Sequence, residues 1–206
     1  MIYLILHGSF AKPEDNWFTW LKLKLEDAKN KVYLPAMPVD NYQTFQKDAA
    51  STTQNLGSWL DALKPIADEI VSANQPLTIV AHSISPSLVL SLLDANPKLK
   101  VEKLVAIAPF LHHGRASEKY WQIRDVNDSF LKNDEAIISD EARLKGIKNR
   151  IKESLVIYGD NDPYVAPSES LEYAELLGSE VLVIKGGGHL NAEAGYTEFE
   201  DLLSLI

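Results

Sequence analysis

The 206-residue sequence contains no cysteine. Without thiols the chain can form no disulfide, no thiolate metal site and no cysteine nucleophile. It also lacks an apolar run of the ~20 residues that a membrane-spanning helix needs. The opening segment, MIYLILHG, has no basic stretch of the kind that begins a signal peptide. These absences predict a cytoplasmic globular protein without a membrane span.

Positive charge is scarce in this chain. There are 20 Lys and Arg residues against 29 Asp and Glu residues, which gives a formal net charge of −9. A protein with that balance repels phosphate backbones and anionic lipid head groups, so nucleic acid and membrane surfaces are not expected partners. The nucleotide-binding patterns G-x-G-x-x-G and G-x-x-x-x-G-K-[ST] are also missing. The sequence therefore predicts no nucleotide cofactor.

Apolar residues, in contrast, make up 46% of the sequence, enough for one core in a single domain over residues 1–206. Six short apolar runs are continuous rather than alternating, which is typical of strands covered on both faces. They occupy residues 2–6, 32–36, 77–81, 103–108, 154–159 and 180–185. Helical patterns separate the runs. This alternation predicts a three-layer α/β/α fold around a doubly wound, six-stranded, mainly parallel sheet.

Residues 110–150 separate two predicted strands by about twice the length of a simple crossover, and the stretch is charged. Long excursions in compact folds are often functional lids. We expect a crossover helix in the second half and a small cap over 110–135, which includes Tyr120 and Trp121. A solvated insertion with no role is the alternative.

Three chemically distinctive residues each follow a different predicted strand. Ser83 follows the third in "VAHSISPSL", Asp162 the fifth in "GDNDPYV", and His189 the sixth in "GGGHLN". Ligands of open α/β sheets bind at the carboxyl ends of the strands, so these side chains are expected to converge. Taken singly, Ser83 could be a helix cap and Asp162 part of a turn. The chain order Ser, Asp, His is that of the α/β-hydrolase triad.

The turn at Ser83 departs from the G-x-S-x-G pattern of a nucleophile elbow. Ala81 and Ser85 stand where that pattern has glycine. The two positions pack against neighbouring backbone, so the physical requirement is a small side chain, which both residues meet. Pro86 falls in the first turn of the predicted helix, where no N–H partner is lost.

The stretches "LILHGSFAKPEDNWFTWL", "VAHSISPSL", "YGDNDPYVAPSES" and "GGGHLNAEAGYTEFEDLL" resemble the α/β-hydrolase superfamily. Within it, the chain is similar over nearly its whole length to compact serine hydrolases of the YdeN and retinoblastoma-binding protein 9 family. The resemblance implies an α/β-hydrolase fold that lacks the first two strands of the larger fold. The L-x-C-x-E motif of the second protein cannot occur without cysteine, so its protein partner is not implied.

The resemblance also implies roles. Ser83 would be the nucleophile and His189 the general base, with Asp162 holding the histidine tautomer and Asp160 as the alternative acid. Backbone N–H groups would form the oxyanion hole. The first would come from Ile84, and the second from Ser9, with Phe10 as the alternative.

Candidate pocket residues are Phe10, Trp17, His113 and Trp121. Trp17 has helical spacing typical of a core residue, and it is also the tryptophan nearer the oxyanion loop. Histidine is a common metal ligand, but the adjacent His112 and His113 on a regular strand cannot both face one ion, and no third ligand has family spacing. We expect no metal site.

The sequence thus predicts a serine hydrolase that needs neither metal nor cofactor and cleaves small carboxylic esters, or amides or thioesters, through an acyl-enzyme. A different class of function is the alternative: a weakly active or inactive hydrolase fold that binds a ligand or a protein. Acyl transfer to an acceptor other than water would use the same residues. A monomer or small homo-oligomer is expected, and no feature supports a particular protein partner.

Overall fold

The computed structural model describes residues 1–41, 43, 53–113 and 121–206, without the side chains of residues 121–125. Six strands form one sheet in the order β2-β1-β3-β4-β5-β6, and each neighbouring pair is parallel. The strands are β1 (Ile2–Leu6), β2 (Lys31–Tyr33), β3 (Leu77–His82), β4 (Val101–Ile107), β5 (Ile151–Gly159) and β6 (Glu180–Ile184). The predicted doubly wound sheet is confirmed, and it is wholly parallel within the described residues.

Helices cover both faces of the sheet. They are α1 (Phe18–Asp27), α2 (Leu56–Ala73), α3 (Ser85–Ala95), α4 (Trp121–Ile138), α5 (Glu141–Lys148), α6 (Pro167–Leu177) and α7 (Glu200–Leu203). Two separate apolar clusters show which helices share a face: α1 and α7 pack on one side, and α2 to α6 on the other. The fold therefore has the three predicted layers. Among the described helices, none combines the length and apolar character that crossing a bilayer requires.

Strand β1 explains why the apolar runs are continuous. Ile2, Leu4 and Leu6 belong to the cluster beneath α2 and α3, whereas Tyr3 and Ile5 belong to the cluster beneath α1. Successive side chains of a strand point to opposite faces, so a sheet that is covered on both sides needs apolar residues at every position.

The segment after β4, where a small cap over 110–135 is predicted, contains most of helix α4. Residues 121–135 lie within α4, and Phe130 and Leu131 of that helix are buried in the core. Asn133 of α4 donates a hydrogen bond to Ser91 of α3, 2.8 Å away. This part of the segment therefore belongs to the helical layer, because its apolar stripe packs on the sheet side. The part with Tyr120, residues 114–120, lies outside the described residues.

Helix α4 also buries a carboxyl group. Asp134 is fully buried, and neither of its oxygens has a hydrogen-bond partner among the described residues. Burial raises the pKa of Asp134 to about 8, and the nearby Ser87 hydroxyl only partly offsets this. That hydroxyl donates instead to the carbonyl oxygen of Phe110 at 3.3 Å. The carboxyl group is therefore protonated at neutral pH in the folded chain.

Asp134→Asn is expected to stabilise the protein increasingly as pH rises. The folded state keeps the Asp134 proton up to about pH 8, whereas an unfolded chain releases it above pH ~4. Wild-type stability should therefore fall between these values, by at most about 1.4 kcal/mol per pH unit. A neutral amide removes that loss. Melting temperatures at pH 5 and pH 8 test this, with the exposed neighbour Glu135→Gln as control. An Asp134→Asn advantage that does not grow with pH would contradict it.

Candidate active site

Ser83 lies at the sharp turn between β3 and α3. Its φ angle is +62°, a left-handed conformation that is strained for a residue with a side chain. Its N–H donates to the carbonyl oxygen of Ile107 at 2.8 Å, which fixes the turn to the neighbouring strand. Gly8 lies against it, since a Cβ at Gly8 would come within 2.8 Å of the Ser83 Cβ. This is the geometry of a nucleophile elbow, with the hydroxyl raised above the sheet.

The two residues that replace the elbow glycines are both fully buried. Ala81 pairs in register with Leu6 and Ala106 on the neighbouring strands, where little room remains for a side chain. Ser85 does more than fit, because its hydroxyl donates a hydrogen bond to the backbone carbonyl of His7. The serine thus ties the elbow to the loop after β1. No sequence pattern could have revealed this bond, since its partner lies 78 residues away.

The loop after β5 holds the loop after β6 through three consecutive side chains. Asp160 accepts the N–H of Gly186 and Asn161 accepts the N–H of Gly188, both at 2.7 Å. The next side chain, Asp162, lies 2.7 Å from Nδ1 of His189. Asp160, the alternative acid, thus contacts the glycine turn, residues 186–188, whereas Asp162 contacts the imidazole of His189.

His189 lies between Ser83 and Asp162. Its Nε2 is 3.2 Å from Ser83 Oγ, and its Nδ1 is 2.7 Å from Asp162 Oδ2. The Asp162 side chain is 1% exposed. Its other oxygen accepts the N–H groups of Tyr164 and Val165 at 2.8 and 3.0 Å. With the carboxylate fixed in this way, an imidazole proton on Nδ1 would bond to Asp162 and would leave the Nε2 lone pair facing the serine.

Two buried side chains hydrogen-bond to residues 185–191, the loop after β6, which we call the histidine loop. Trp17 donates its indole N–H to the carbonyl oxygen of Leu190 at 2.9 Å. Nε2 of His82 lies 2.9 Å from the carbonyl oxygen of His189, and the two rings are 4.8 Å apart. Burial lowers the pKa of His82 to about 3, so this ring is neutral and donates from Nε2. His82 therefore serves the polar network around the site.

The loop after β1 contains the candidate oxyanion donors, and we call residues 8–10 the oxyanion loop. His7, just before it, accepts the N–H of Met37 at Nε2 and lies 2.9 Å from the Gly8 oxygen at Nδ1. The Phe10 N–H donates to the Gln54 side chain at 3.0 Å. Because the Phe10 N–H is bonded to Gln54, Ser9 is the better candidate for the second oxyanion donor. Ser9 is also the donor preferred from the sequence, together with Ile84.

The cleft above Ser83 encloses about 290 Å³ and is open to solvent. Phe10 lines it, as predicted, together with Ser9 and His189. Trp17 is fully buried behind the histidine loop and is not on the cleft wall, so the pocket assignment for this residue is wrong. Trp17 immediately precedes α1, which packs against the sheet, and its indole is directed into the same apolar cluster.

His113 is not part of the cleft lining either. Its Nε2 lies 3.5 Å from Asp128 of α4, whereas the adjacent His112 pairs with Glu172 of α6 at 3.1 Å. The two histidines therefore face different helices. Over the described ranges, no three His, Asp or Glu side chains are grouped as metal ligands. Trp121, the last pocket candidate, has its side chain outside the described residues.

The profile of the serine hydrolase family matches residues 3–206. The chain belongs to the serine hydrolase family. This agrees with the resemblance seen in the sequence, and hydrolase chemistry follows from it. None of the curated protein sequences compared with the chain matches it.

Solved structures similar to this serine hydrolase share its fold at low sequence identity. The ydeN gene product of B. subtilis is 20% identical, with a TM-score of 0.76 over 99% of this chain and 95% of that one. Est1E from Butyrivibrio proteoclasticus, solved with ferulic acid bound, is 12% identical, with a TM-score of 0.64 over 98% and 88%. A structure described with carboxylesterases of the thaumarchaeon Nitrososphaera gargenis is 13% identical, with a TM-score of 0.60 over 99% and 87%. At these low identities the likenesses show that the chain shares the fold of these hydrolase structures.

Proposed function

We propose that this serine hydrolase cleaves small carboxylic esters, with Ser83, His189 and Asp162 as its catalytic triad. One observation carries the proposal: the His189 ring lies within hydrogen-bond reach of Ser83 Oγ at 3.2 Å and of Asp162 Oδ2 at 2.7 Å. A weak hydroxyl nucleophile needs an adjacent base, and that base needs a fixed tautomer. The convergence of these three side chains supports both requirements.

The reaction begins with attack of Ser83 Oγ on the ester carbonyl carbon while His189 Nε2 takes the hydroxyl proton. The carbonyl oxygen becomes an oxyanion, which accepts hydrogen bonds from the N–H groups of Ser9 and Ile84. The N-terminus of α3 lies directly behind the elbow and adds a favourable dipole. When the intermediate collapses, His189 returns the proton to the departing alkoxide, and an alcohol leaves.

The acyl-enzyme is then hydrolysed by the same groups in reverse. His189 takes a proton from water, the resulting hydroxide attacks the acyl carbon, and a carboxylic acid departs as Ser83 recovers its proton. The carboxylesterase and ferulic acid named for two similar structures support esters as the substrate class. An open cleft of about 290 Å³ suits a modest acyl group. Action in the cytoplasm, as a monomer or small homo-oligomer, stays a prediction from the sequence.

Fluorophosphonate labelling tests the nucleophile directly. Wild type should be labelled and should hydrolyse p-nitrophenyl acetate, whereas Ser83→Ala should lose the label and about 10⁵- to 10⁶-fold of kcat. Ser87→Ala, at a buried serine of α3 whose hydroxyl bonds to the Phe110 carbonyl, is the matched control and should keep the label. Labelling that survives in Ser83→Ala would place the nucleophile elsewhere. A folded wild type that is not labelled between pH 6 and 9 would favour the binding-protein alternative.

Substrate charge should also matter, because carboxylates line the approach to Ser83. Asp15 and Glu193 border the cleft, and an adjacent cleft adds Asp40 with one cation, Lys12. One unit charge on the substrate, near a carboxylate in water, changes their interaction energy by about 1 kcal/mol, which corresponds to ~5-fold in kcat/KM. We expect acetylthiocholine to be cleaved faster than its neutral 3,3-dimethylbutyl thioester analogue, and a carboxylate analogue slowest.

Glu193→Gln should reduce the differences in kcat/KM among the three substrates, and added salt should reduce them further. The exposed acid Glu14→Gln, which is not among the residues lining the cleft, is the control and should leave the order unchanged. Equal rates for all three esters in wild type would contradict this expectation.

A further inference from the structure

The oxyanion loop, residues 8–10, has an irregular backbone that other parts of the chain must hold. Phe10 has a φ angle of +58°, in the left-handed region that costs a bulky residue about 1–2 kcal/mol. Small shifts of this loop would move the Ser9 N–H away from the developing oxyanion. An oxyanion donor contributes only when it is held in place before the reaction begins. The side chains that hold the oxyanion loop in place therefore affect the reaction.

Two buried carboxamides bind it. Gln54, fully buried, accepts the Phe10 N–H at 3.0 Å. Asn127, 2% exposed, accepts a hydrogen bond of 2.6 Å from the Ser9 hydroxyl. The two partners lie 44 and 118 residues away along the chain, so neither contact is local. When a buried amide oxygen accepts a hydrogen bond from the Ser9 hydroxyl, the bond restricts the side-chain torsion of Ser9 and the backbone next to it.

Asn127 is itself firmly positioned. It lies on α4, whose buried Val126 and Phe130 pack into the core on either side. Two residues further on, Ser129 accepts the N–H of Leu56 at 3.0 Å, which attaches α4 to the beginning of α2. Gln54 lies two residues before the first residue of α2. The same helix α4 thus holds Ser9 directly and adjoins the segment that holds Phe10.

We propose that Asn127 is a positioning residue for the reaction: its bond to the Ser9 hydroxyl orients the Ser9 N–H toward the oxyanion. The inference rests on the proposed function and assigns a role to a helix that contributes no reacting group. An oxyanion hydrogen bond strengthens only in the transition state, so a misplaced donor lowers kcat and leaves KM nearly unchanged. Substitution of a purely structural residue would change stability without lowering kcat selectively at unchanged KM.

The test compares Asn127→Leu with Asn133→Leu. Both positions are asparagines on α4 paired with a serine, but Asn133 contacts Ser91 on α3 rather than the oxyanion loop. Losing an oxyanion donor outright costs about 10²- to 10³-fold in kcat, and a displaced one should cost about 10- to 100-fold. We expect that loss for Asn127→Leu alone, at unchanged KM for p-nitrophenyl acetate. Affinity for a small boronic acid, which forms a tetrahedral adduct with the serine, should fall by the same factor.

Two further variants separate positioning from simple packing. Ser9→Ala removes the hydroxyl and keeps the backbone N–H, so it should reproduce the loss, and the double variant with Asn127→Leu should be no worse than either single one. Asn127→Asp has the same shape and keeps an acceptor oxygen, so it should recover most of kcat. Because Ser9 is partly exposed, its variant remains informative even if Asn127→Leu does not fold.

The inference is overturned if Asn127→Leu and Ser9→Ala keep wild-type kcat, or if they raise KM instead. It is also overturned if Asn133→Leu loses as much kcat as Asn127→Leu. A wild type that is never labelled and cleaves no ester is a different result, since it would refute the proposed function itself. Because the wild-type measurement comes first, the two failures are distinguishable.

Discussion

Asp162→Asn is expected to lower kcat by about 10⁴-fold while leaving the fold intact. Asp162 Oδ1 accepts the N–H groups of Tyr164 and Val165, and Asn can keep those two bonds with its own oxygen. Its NH₂ group then faces His189 Nδ1 in place of a carboxylate oxygen. The imidazole must accept that bond, so its proton moves to Nε2, where it blocks proton transfer from Ser83. Steady-state kinetics with p-nitrophenyl acetate measure the loss.

Asp160→Asn is the matched control for this prediction. Asp160 lies in the same loop after β5 and accepts the N–H of Gly186; its contact is not with a histidine nitrogen. An amide oxygen can still accept that bond, so kcat should stay within about 3-fold of wild type. If Asp160→Asn proves as damaging as Asp162→Asn, or if Asp162→Asn keeps wild-type activity, then the assignment of the triad acid fails.

Gly159→Ala is expected to destabilise the protein by at least about 3 kcal/mol, at or beyond the upper end of ordinary overpacking. A Cβ at Gly159 would lie 2.2 Å from the carbonyl oxygen of Gly188 and 2.7 Å from its nitrogen. Both contacts are with backbone, so no side chain can rotate away to relieve them. A lower melting temperature, by about 10 °C for a chain of this size, is the expected result. Activity should fall as well, because Gly188 precedes His189.

Gly146→Ala provides the control in the same chain. A Cβ at Gly146, in the last turn of α5, would meet nothing within 4 Å. Alanine is preferred over glycine inside a helix by about 1 kcal/mol, so this variant should melt slightly higher than wild type. The contrast separates the effect of an added methyl group from the effect of its surroundings. A Gly159→Ala protein as stable as wild type would show that the two loops do not pack this closely.

The sheet could be predicted because its cause is local. A strand covered on both faces must be apolar at successive positions, and the four central strands are covered in this way, whereas the edge strand β6 exposes Val181 and Val183. The run at 32–36 became the three-residue strand Lys31–Tyr33, since β2 is the edge strand and has one neighbour. The cap over 110–135 stays a prediction. The pattern of the mostly polar helix α4 does not reveal that Phe130 and Leu131 are buried.

Candidate site residues could be named from sequence for a similar reason. Parallel strands bring their carboxyl ends to one edge, so Ser83, Asp162 and His189 could be expected together from topology alone. Trp17 illustrates the limit. A tryptophan near the oxyanion loop is compatible with a pocket wall or with the core, and only the packing of α1 places its indole beneath the histidine loop.

The sequence by itself determined the parallel sheet, the resemblance to the serine hydrolases and the three side chains at the strand ends. Those conclusions depend on periodicity, residue type and order along the chain. Only the tertiary structure decided that the Ser85 hydroxyl binds the His7 carbonyl, that Asp160 holds the glycine turn, and that Asn127 holds Ser9. Each of these bonds joins residues far apart in the chain through a single polar atom, and no local pattern specifies which distant atom will come within reach.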